Sequence, residues 1–207
     1  MKTFYDVSMT VTPDIQVWKN YETKKPKFKV VADFSHSVVH ETEVTINLHT
    51  GTHMDFPLHM LPDGQTSDSL DLTKLIRTVK VFDLTHIKDQ INDSDLVPLN
   101  IKKDDFVLLK TKNSFESEFN FNFVFVNEWA SQYLAEKGVV GVGVDGLGIE
   151  RDQIGHPTHK ILMQKDIIII EGLRLKDVPQ GIYQMYALPI KMKGTDALLL
   201  SVILEVI

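Results

Sequence analysis

His49-Thr50-Gly51-Thr52-His53-Met54-Asp55-Phe56-Pro57-Leu58-His59 gathers three histidines and one carboxylate into eleven positions. Neutral imidazole together with carboxylate suits Zn²⁺ or Mn²⁺, whereas Ca²⁺ and Mg²⁺ favour all-oxygen shells. His49 and His53 would share one face of a helix, as in the helical zinc-protease motif. That motif requires Glu directly after its first His, and here Thr50 stands in that place. Gly51 between two β-branched threonines, with Pro57 shortly after, also opposes a helix. In extended chain His49, Gly51, His53 and Asp55 point to one side, and Gly51 leaves room for an ion between its neighbours. The stretch therefore reads as a strand running out into a loop that carries metal ligands.

One His-His-Asp set holds one ion, and the second oxygen of Asp55 can bridge to another. Two-metal hydrolytic sites hold their ions about 3.5–4 Å apart. Donors for a second ion must come from elsewhere, and His156, His159 and Glu171 are the candidates. Glu171 ends the apolar run Ile167–Ile170, where an unpaired buried carboxylate is costly. His159 follows Pro157 in what reads as a loop ahead of that run.

His-x-Gly-Thr-His-x-Asp-x-Pro-x-His resembles the signature of the cyclase-like metal-dependent hydrolases, a family that includes bacterial kynurenine formamidases and isatin hydrolases. His156-x-x-His159, followed about twelve residues later by Glu171-Gly172-Leu173, is similar to the family's second segment. The resemblance implies His49, His53 and Asp55 as ligands of one ion. It implies Asp55, His159 and Glu171 for the other, with His59 as general acid/base and no firm role for His156. In kynurenine formamidases an aromatic residue after a Pro-x-x-x-x-Trp pattern contacts substrate. Pro13 and Trp18 fit it loosely, which makes Trp18 the candidate substrate platform against the plainer reading of an aromatic packing a loop.

With 207 residues, 43% of them hydrophobic and 24% charged, the chain is long enough for one domain, 1–207, with a sizeable core. A net charge of −6 gives no electrostatic footprint for nucleic acid or an anionic membrane. Cysteine is absent, which excludes disulfides, thiolate metal sites and a cysteine nucleophile. Met1-Lys2-Thr3-Phe4-Tyr5-Asp6 lacks the apolar centre of a signal peptide, and no apolar run approaches ~20 residues. The expected location is the cytoplasm.

Strands are expected at Thr3–Val7, Phe28–Phe34, Val38–Leu48, Lys80–Leu84, Asp105–Lys110, Val139–Val144, Ile167–Ile170, Ile182–Ile190 and Ala197–Ile207. In the third of these, alternation around Val44, Ile46 and Leu48 would deliver His49 to the opposite face. A basic, solvated loop is expected over 20–29, a short helix from Ser94 to Leu99 capped by Ser94, and an aromatic loop near the site entrance over Asn113–Asn122. The clearest helix is Asn127–Lys137. Asn127 caps it, Trp129, Tyr133 and Leu134 form its apolar stripe, and Gly138 stops it. Gly141-Val142-Gly143-Val144-Asp145-Gly146 matches Gly-x-Gly-x-x-Gly, but no helical periodicity follows, so a dinucleotide site is discounted. The family often carries a serine three residues after the aspartate of this segment, and Gly148 stands there instead.

The fold class expected is α/β, a strand-rich mixed sheet, and the resemblance implies a swivelling β/β/α arrangement forming homodimers or homotetramers. The activity expected is a metal-dependent amidohydrolase with two divalent ions, Zn²⁺ ahead of Mn²⁺. It would cleave an aryl formamide such as the small molecule N-formylkynurenine by a metal-activated water, with His59 protonating the leaving nitrogen. A lactam or lactone hydrolase of the isatin type needs the same ligands. A non-catalytic metal-binding protein would not need His59.

Overall fold

Runs of apolar and β-branched residues set the strands of the chain, whose computed structural model describes residues 3–207. Met1 and Lys2, part of the stretch read above for a leader, lie outside the described residues. In chain order the strands are β1 Phe4–Asp6, β2 Lys27–Ala32, β3 Glu41–Thr45, β4 His53–Asp55, β5 Ile76–Asp83 and β6 Gln90–Ile91. They continue with β7 Phe106–Lys110, β8 Phe125–Val126, β9 Gly141–Val144, β10 Ile168–Glu171, β11 Gly181–Pro189 and β12 Ala197–Val206. The α-helices are α1 Asp93–Leu96, α2 Glu128–Lys137 and α3 Pro157–Met163.

Eight strands form one mixed sheet in the order β1-β12-β11-β5-β7-β9-β10-β4. β4 also pairs antiparallel with β12 through Ala197–Leu199, so seven strands close into a barrel-like ring. β1 lies outside that ring, along Ile203–Glu205 of β12. β5, β7, β9 and β10 run parallel to their neighbours in this series. Every residue of β7 and β9 is buried, as the continuous apolar runs of parallel strands require. Phe106 and Leu108 of β7 face the barrel interior with Val79, Met185, Val202 and Leu204, while Val107 and Leu109 face α2 and α3. The expected α/β, strand-rich mixed sheet is the one observed. Among the described residues no helix is long and apolar enough to cross a membrane.

Gly141 and Gly143 belong to this packing. A Cβ at Gly141 would lie 2.3 Å from the Phe106 ring, and one at Gly143 would lie 2.6 Å from Leu108. The glycine pattern makes room for β7, and the segment after β9 is irregular until α3, as a discounted dinucleotide motif should be.

Several local expectations change. The expected strand Val38–Leu48 is shorter, and β3 ends at Thr45 because Asn47 folds the chain into a turn. Among the described residues β2 and β3 pair only with each other, and the Val30, Phe34 and Val38 side chains around them are exposed. Part of the expected loop 20–29 is therefore strand. The short helix is α1, and Asn92 rather than Ser94 opens it, because the Asp95 carboxylate accepts the Asn92 N–H at 2.7 Å. Asn127 caps α2 by accepting the Ala130 N–H, and Gly138 ends it in the left-handed region. Trp129 is 67% exposed, however. The buried face of α2 is Ala130, Ser131 and Leu134.

Candidate metal and substrate site

A turn feeding a short strand delivers the histidine motif, which reverses the expected order of strand and loop. His49 N–H is held by Asn47 Oδ1 and Thr50 N–H by the Asn47 carbonyl. Gly51 follows with φ of +71°, a conformation that favours glycine. Its carbonyl accepts from His53 Nδ1 at 2.9 Å, which turns Nε2 of that ring towards the site. The expectation that Gly51 leaves space for an ion does not hold, since its open side faces Ile15, Val11 and Met9. The strand β4 then carries His53 and Asp55 on one side.

Pairing of β4 with β10 sets His53 directly opposite Glu171. Just beyond, Gly172 has φ of +70°, and a Cβ there would lie 2.4 Å from the Gly51 carbonyl oxygen. Thr52 Oγ1 donates to the Gly172 carbonyl at 2.7 Å. The two motif halves thus lock at their glycines. His159 reaches the same point from α3, not from the loop expected, because Pro157 starts a helix at its first turn. A one-turn helix, Pro57–His59, turns His59 over the other rings.

The five expected ligands converge. His49 Nδ1 lies 3.1 Å from Asp55 Oδ1, and His53 Nε2 lies 3.5 Å from Asp55 Oδ1 and 3.3 Å from Glu171 Oε2. His159 Nε2 lies 3.7 Å from Asp55 Oδ2 and 3.4 Å from Glu171 Oε1. The His59 ring centre is 4.1 Å from that of His49 and 5.7 Å from that of His159. His156 stays at the edge, its Nδ1 3.4 Å from Glu150. His53, Asp55, His159 and Glu171 are all buried. His53 Nε2 and both Asp55 oxygens are buried without a hydrogen-bond partner.

Those orphaned atoms test whether a cation fits. A buried carboxylate whose oxygens have no donor costs several kcal/mol, of order 1–3 even for a neutral group. Here its two oxygens face three imidazoles and a second carboxylate. Among the described residues, groups suited to a divalent ion form as His53–Asp55–Glu171, as His49–Asp55–His59 and as Glu150–His156–His159. Without an ion, protonated histidines balance the acids. Burial opposes charge on His49, but Asp55 and Asp196 outweigh it and raise the imidazole to about 9. Burial likewise opposes charge on His159, whose pKa the carboxylates of Asp55, Glu150 and Glu171 nevertheless raise well above 6.5. Burial and Asp55 push Glu171 up, yet His159 and His53 hold it at about 2. The pKa of His59, unlike those of His49 and His159, moves down, because burial dominates.

Beside these groups is a cavity of about 170 Å³, lined by Trp18, Lys24, His49, His59, Gly148 and His159 among others. The Trp18 indole rests edge-on against Phe119 and Phe123, with ring centres 5.4 and 5.7 Å away. The expected aromatic loop 113–122 thus supports the cavity wall through Phe119. Gly148 underlies the indole, since a Cβ there would come 2.6 Å from Trp18 Cζ3.

Two carboxylates in the site escape sequence reasoning. Asp196 Oδ2 is 2.9 Å from His49 Nε2 and 3.7 Å from His59 Nδ1. Glu150 is buried against His159 Nδ1 at 2.5 Å. Neither stands in a motif, and the only signal was a lone acid beside an apolar strand or turn.

The family model named Cyclase, described as putative cyclase, matches residues 5–151. A kynurenine formamidase of Erythrobacter litoralis (strain HTCC2594) is 30% identical over 206 residues, 99% of this chain and 94% of that protein. A solved structure described as a potential metal-dependent hydrolase with cyclase activity superposes with a TM-score of 0.94 at 48% identity, covering 99% of this chain and 98% of that one. Isatin hydrolase A of Ralstonia solanacearum shares the fold, with a TM-score of 0.86 at 19% identity over 100% of this chain and 92% of that one.

Proposed function

The chain belongs to the Cyclase family and is a metal-dependent hydrolase of amide C–N bonds, and from that premise we propose that its substrate is an aryl formamide, N-formylkynurenine first. The observation that carries the reading is the convergence of His49, His159 and Glu171 on the buried, partnerless His53 Nε2 and Asp55 oxygens. His49, His53 and Asp55 would hold one divalent ion and Asp55, His159 and Glu171 a second, Zn²⁺ before Mn²⁺, as this mixed nitrogen and oxygen set suits. Such ions, when bound, supply Lewis acidity and lower the pKa of water towards ~7.

The chain's own groups do the rest. His59 is kept neutral by burial, with Nδ1 towards Asp196. It accepts a proton from the attacking water and returns it to the departing aniline nitrogen. Trp18 offers the aryl ring a face at the cavity wall. Lys24 lines the same cavity and, among the described residues, has no ion-pair partner, so it is the group to meet a substrate carboxylate. That supports an aryl formamide bearing a carboxylate over the lactam isatin, which has none. The β2–β3 hairpin, exposed on both faces and marginal alone, supports a homodimer or homotetramer in which it packs on a second copy.

Protein purified without added metal should contain close to two equivalents of Zn or Mn. Against N-formyl-L-kynurenine, isatin and simple lactones, the formamide should be preferred. Preference for isatin or a lactone would overturn the substrate assignment, and metal-free protein with full activity would overturn the whole reading.

A further inference from the structure

We propose that Glu150 is the positioning residue for His159, gripping the imidazole at Nδ1 so that Nε2 is the nitrogen offered to Asp55 and Glu171. The proposal rests on the reading of His159 as a ligand and names what aims it. Glu150 Oε1 is 2.5 Å from His159 Nδ1, and the side chain is 1% exposed. Oε2 accepts Gln153 Nε2 at 2.8 Å and Thr158 N–H at 3.2 Å. Gln153 also donates to Thr158 Oγ1, which in turn donates to the Val126 carbonyl, and Gln153 Oε1 accepts the Glu128 N–H. The carboxylate is therefore fixed from β8, α2 and α3 at once.

A buried carboxylate held only for structure is commonly paired with Arg or Lys. Among the described residues, Glu150 faces no such side chain, and its only ion-pair partners are His159 and, at 3.4 Å, His156. An acceptor at Nδ1 keeps the proton there and leaves the Nε2 lone pair for an ion, the arrangement by which carboxylates orient metal-binding histidines. The preceding residue acts on the other donor from the same side, since Ile149 N–H donates to Glu171 Oε1 at 2.6 Å. Two consecutive residues thus aim His159 and Glu171, two of the three donors expected of the second ion. Gly148, just before them, touches the substrate platform Trp18.

The experiment compares Glu150→Met, which removes the acceptor at similar volume, with Glu150→Gln, which keeps one. Zn²⁺ affinity is read by competition with a chromophoric chelator, and the His159 ring nitrogens by long-range ¹H–¹⁵N spectra of the zinc-loaded protein. Glu150→Met should weaken one of two equivalents by about 10–100-fold, and Glu150→Gln should recover most of that loss. Wild-type spectra should show zinc at Nε2 and a proton on Nδ1. Wild-type affinity for both equivalents in Glu150→Met, or equal loss in Glu150→Gln, overturns the proposal. Should Glu150→Met fail to fold, the wild-type spectra still decide, because zinc on Nδ1 overturns it. His159→Ala separates the two layers of argument. If it loses one equivalent while Glu150→Met loses none, only the role of Glu150 falls; if His159→Ala keeps both, the ligand assignment itself falls.

Discussion

Gly148→Ala adds one methyl under the Trp18 indole at the cavity wall. The new Cβ would sit 2.6 Å from Trp18 Cζ3 and 3.2 Å from Cη2. Ordinary contact begins near 3.4 Å, so the indole must move by about 0.8 Å, the difference between the two. It cannot withdraw freely, because Phe119 and Phe123 press on it edge-on and are themselves buried. Overpacking of this kind costs about 1–3 kcal/mol. Whether spent as strain or as loss of the platform's place in a cavity of about 170 Å³, the same range corresponds to about 5- to 150-fold in an equilibrium or rate. The expected outcome is a fall in kcat/KM for N-formyl-L-kynurenine within that range, carried mainly by KM, with metal content unchanged. Trp18 emission can be read alone in a Trp129→Phe background, because those are the two tryptophans of the chain and Trp129 is the exposed one. That emission should shift in Gly148→Ala. Unchanged KM together with unchanged Trp18 emission would refute the claim that Trp18 is held by Gly148 as a substrate platform.

Other perturbations separate the remaining roles. His59→Ala should lower kcat by about 10²–10⁴-fold with metal content intact, measured by steady-state assay and elemental analysis, and a full rate would remove His59 from the chemistry. Lys24→Ala should raise KM for N-formyl-L-kynurenine but not for uncharged formanilide; equal effects on both would rule out carboxylate recognition. Gly172→Ala, strained by its φ of +70° and 2.4 Å from the Gly51 carbonyl, should lose at least about 2 kcal/mol in urea denaturation. In metal-free protein, His49 is raised to about 9 from 6.5, so its contribution to stability is full below 6.5 and fades as pH rises through about 9. Glu171 is lowered to about 2 from 4.5, so its contribution is full above 4.5 and fades as pH falls through about 2. Thermal midpoints of chelator-treated protein should peak between 4.5 and 6.5, and a midpoint still constant at pH 9 would contradict the His49 shift.

What could be read from sequence depended on whether the deciding contact was local. The cap Asn127 and the stop Gly138 act within α2, and both were legible. The isoleucines before Glu171 announced β10 by composition alone. β4 has three residues, too few for alternation to declare itself, and its membership in the ring depends on β10 and β12 on either side. The extended parity that seemed to line up His49 with His53 failed because the turn closed by Thr50 N–H on the Asn47 carbonyl and the positive φ of Gly51 bend the chain there. Asp196 lies 147 positions from the His49 it pairs with, and nothing near it in sequence marks it as different from any other acid.

Glycine makes the point sharpest. Gly141 and Gly143 imitate a phosphate-binding pattern, yet their reason is the Phe106 and Leu108 side chains of the neighbouring strand. Gly172 carries no such pattern, yet its reason is the carbonyl of Gly51, inside the first metal motif. In each case the residue is small because of an atom that the chain brings in from elsewhere. The family signature was readable because it names both partners of the Gly51–Gly172 contact at once. Glu150 and Gly148 were not, because their partners His159 and Trp18 meet them only after α3 and the 18–20 turn have folded onto the loop beyond β9. A side chain that acts by aiming another leaves its mark in the partner's geometry, and the tests that find it must read the partner.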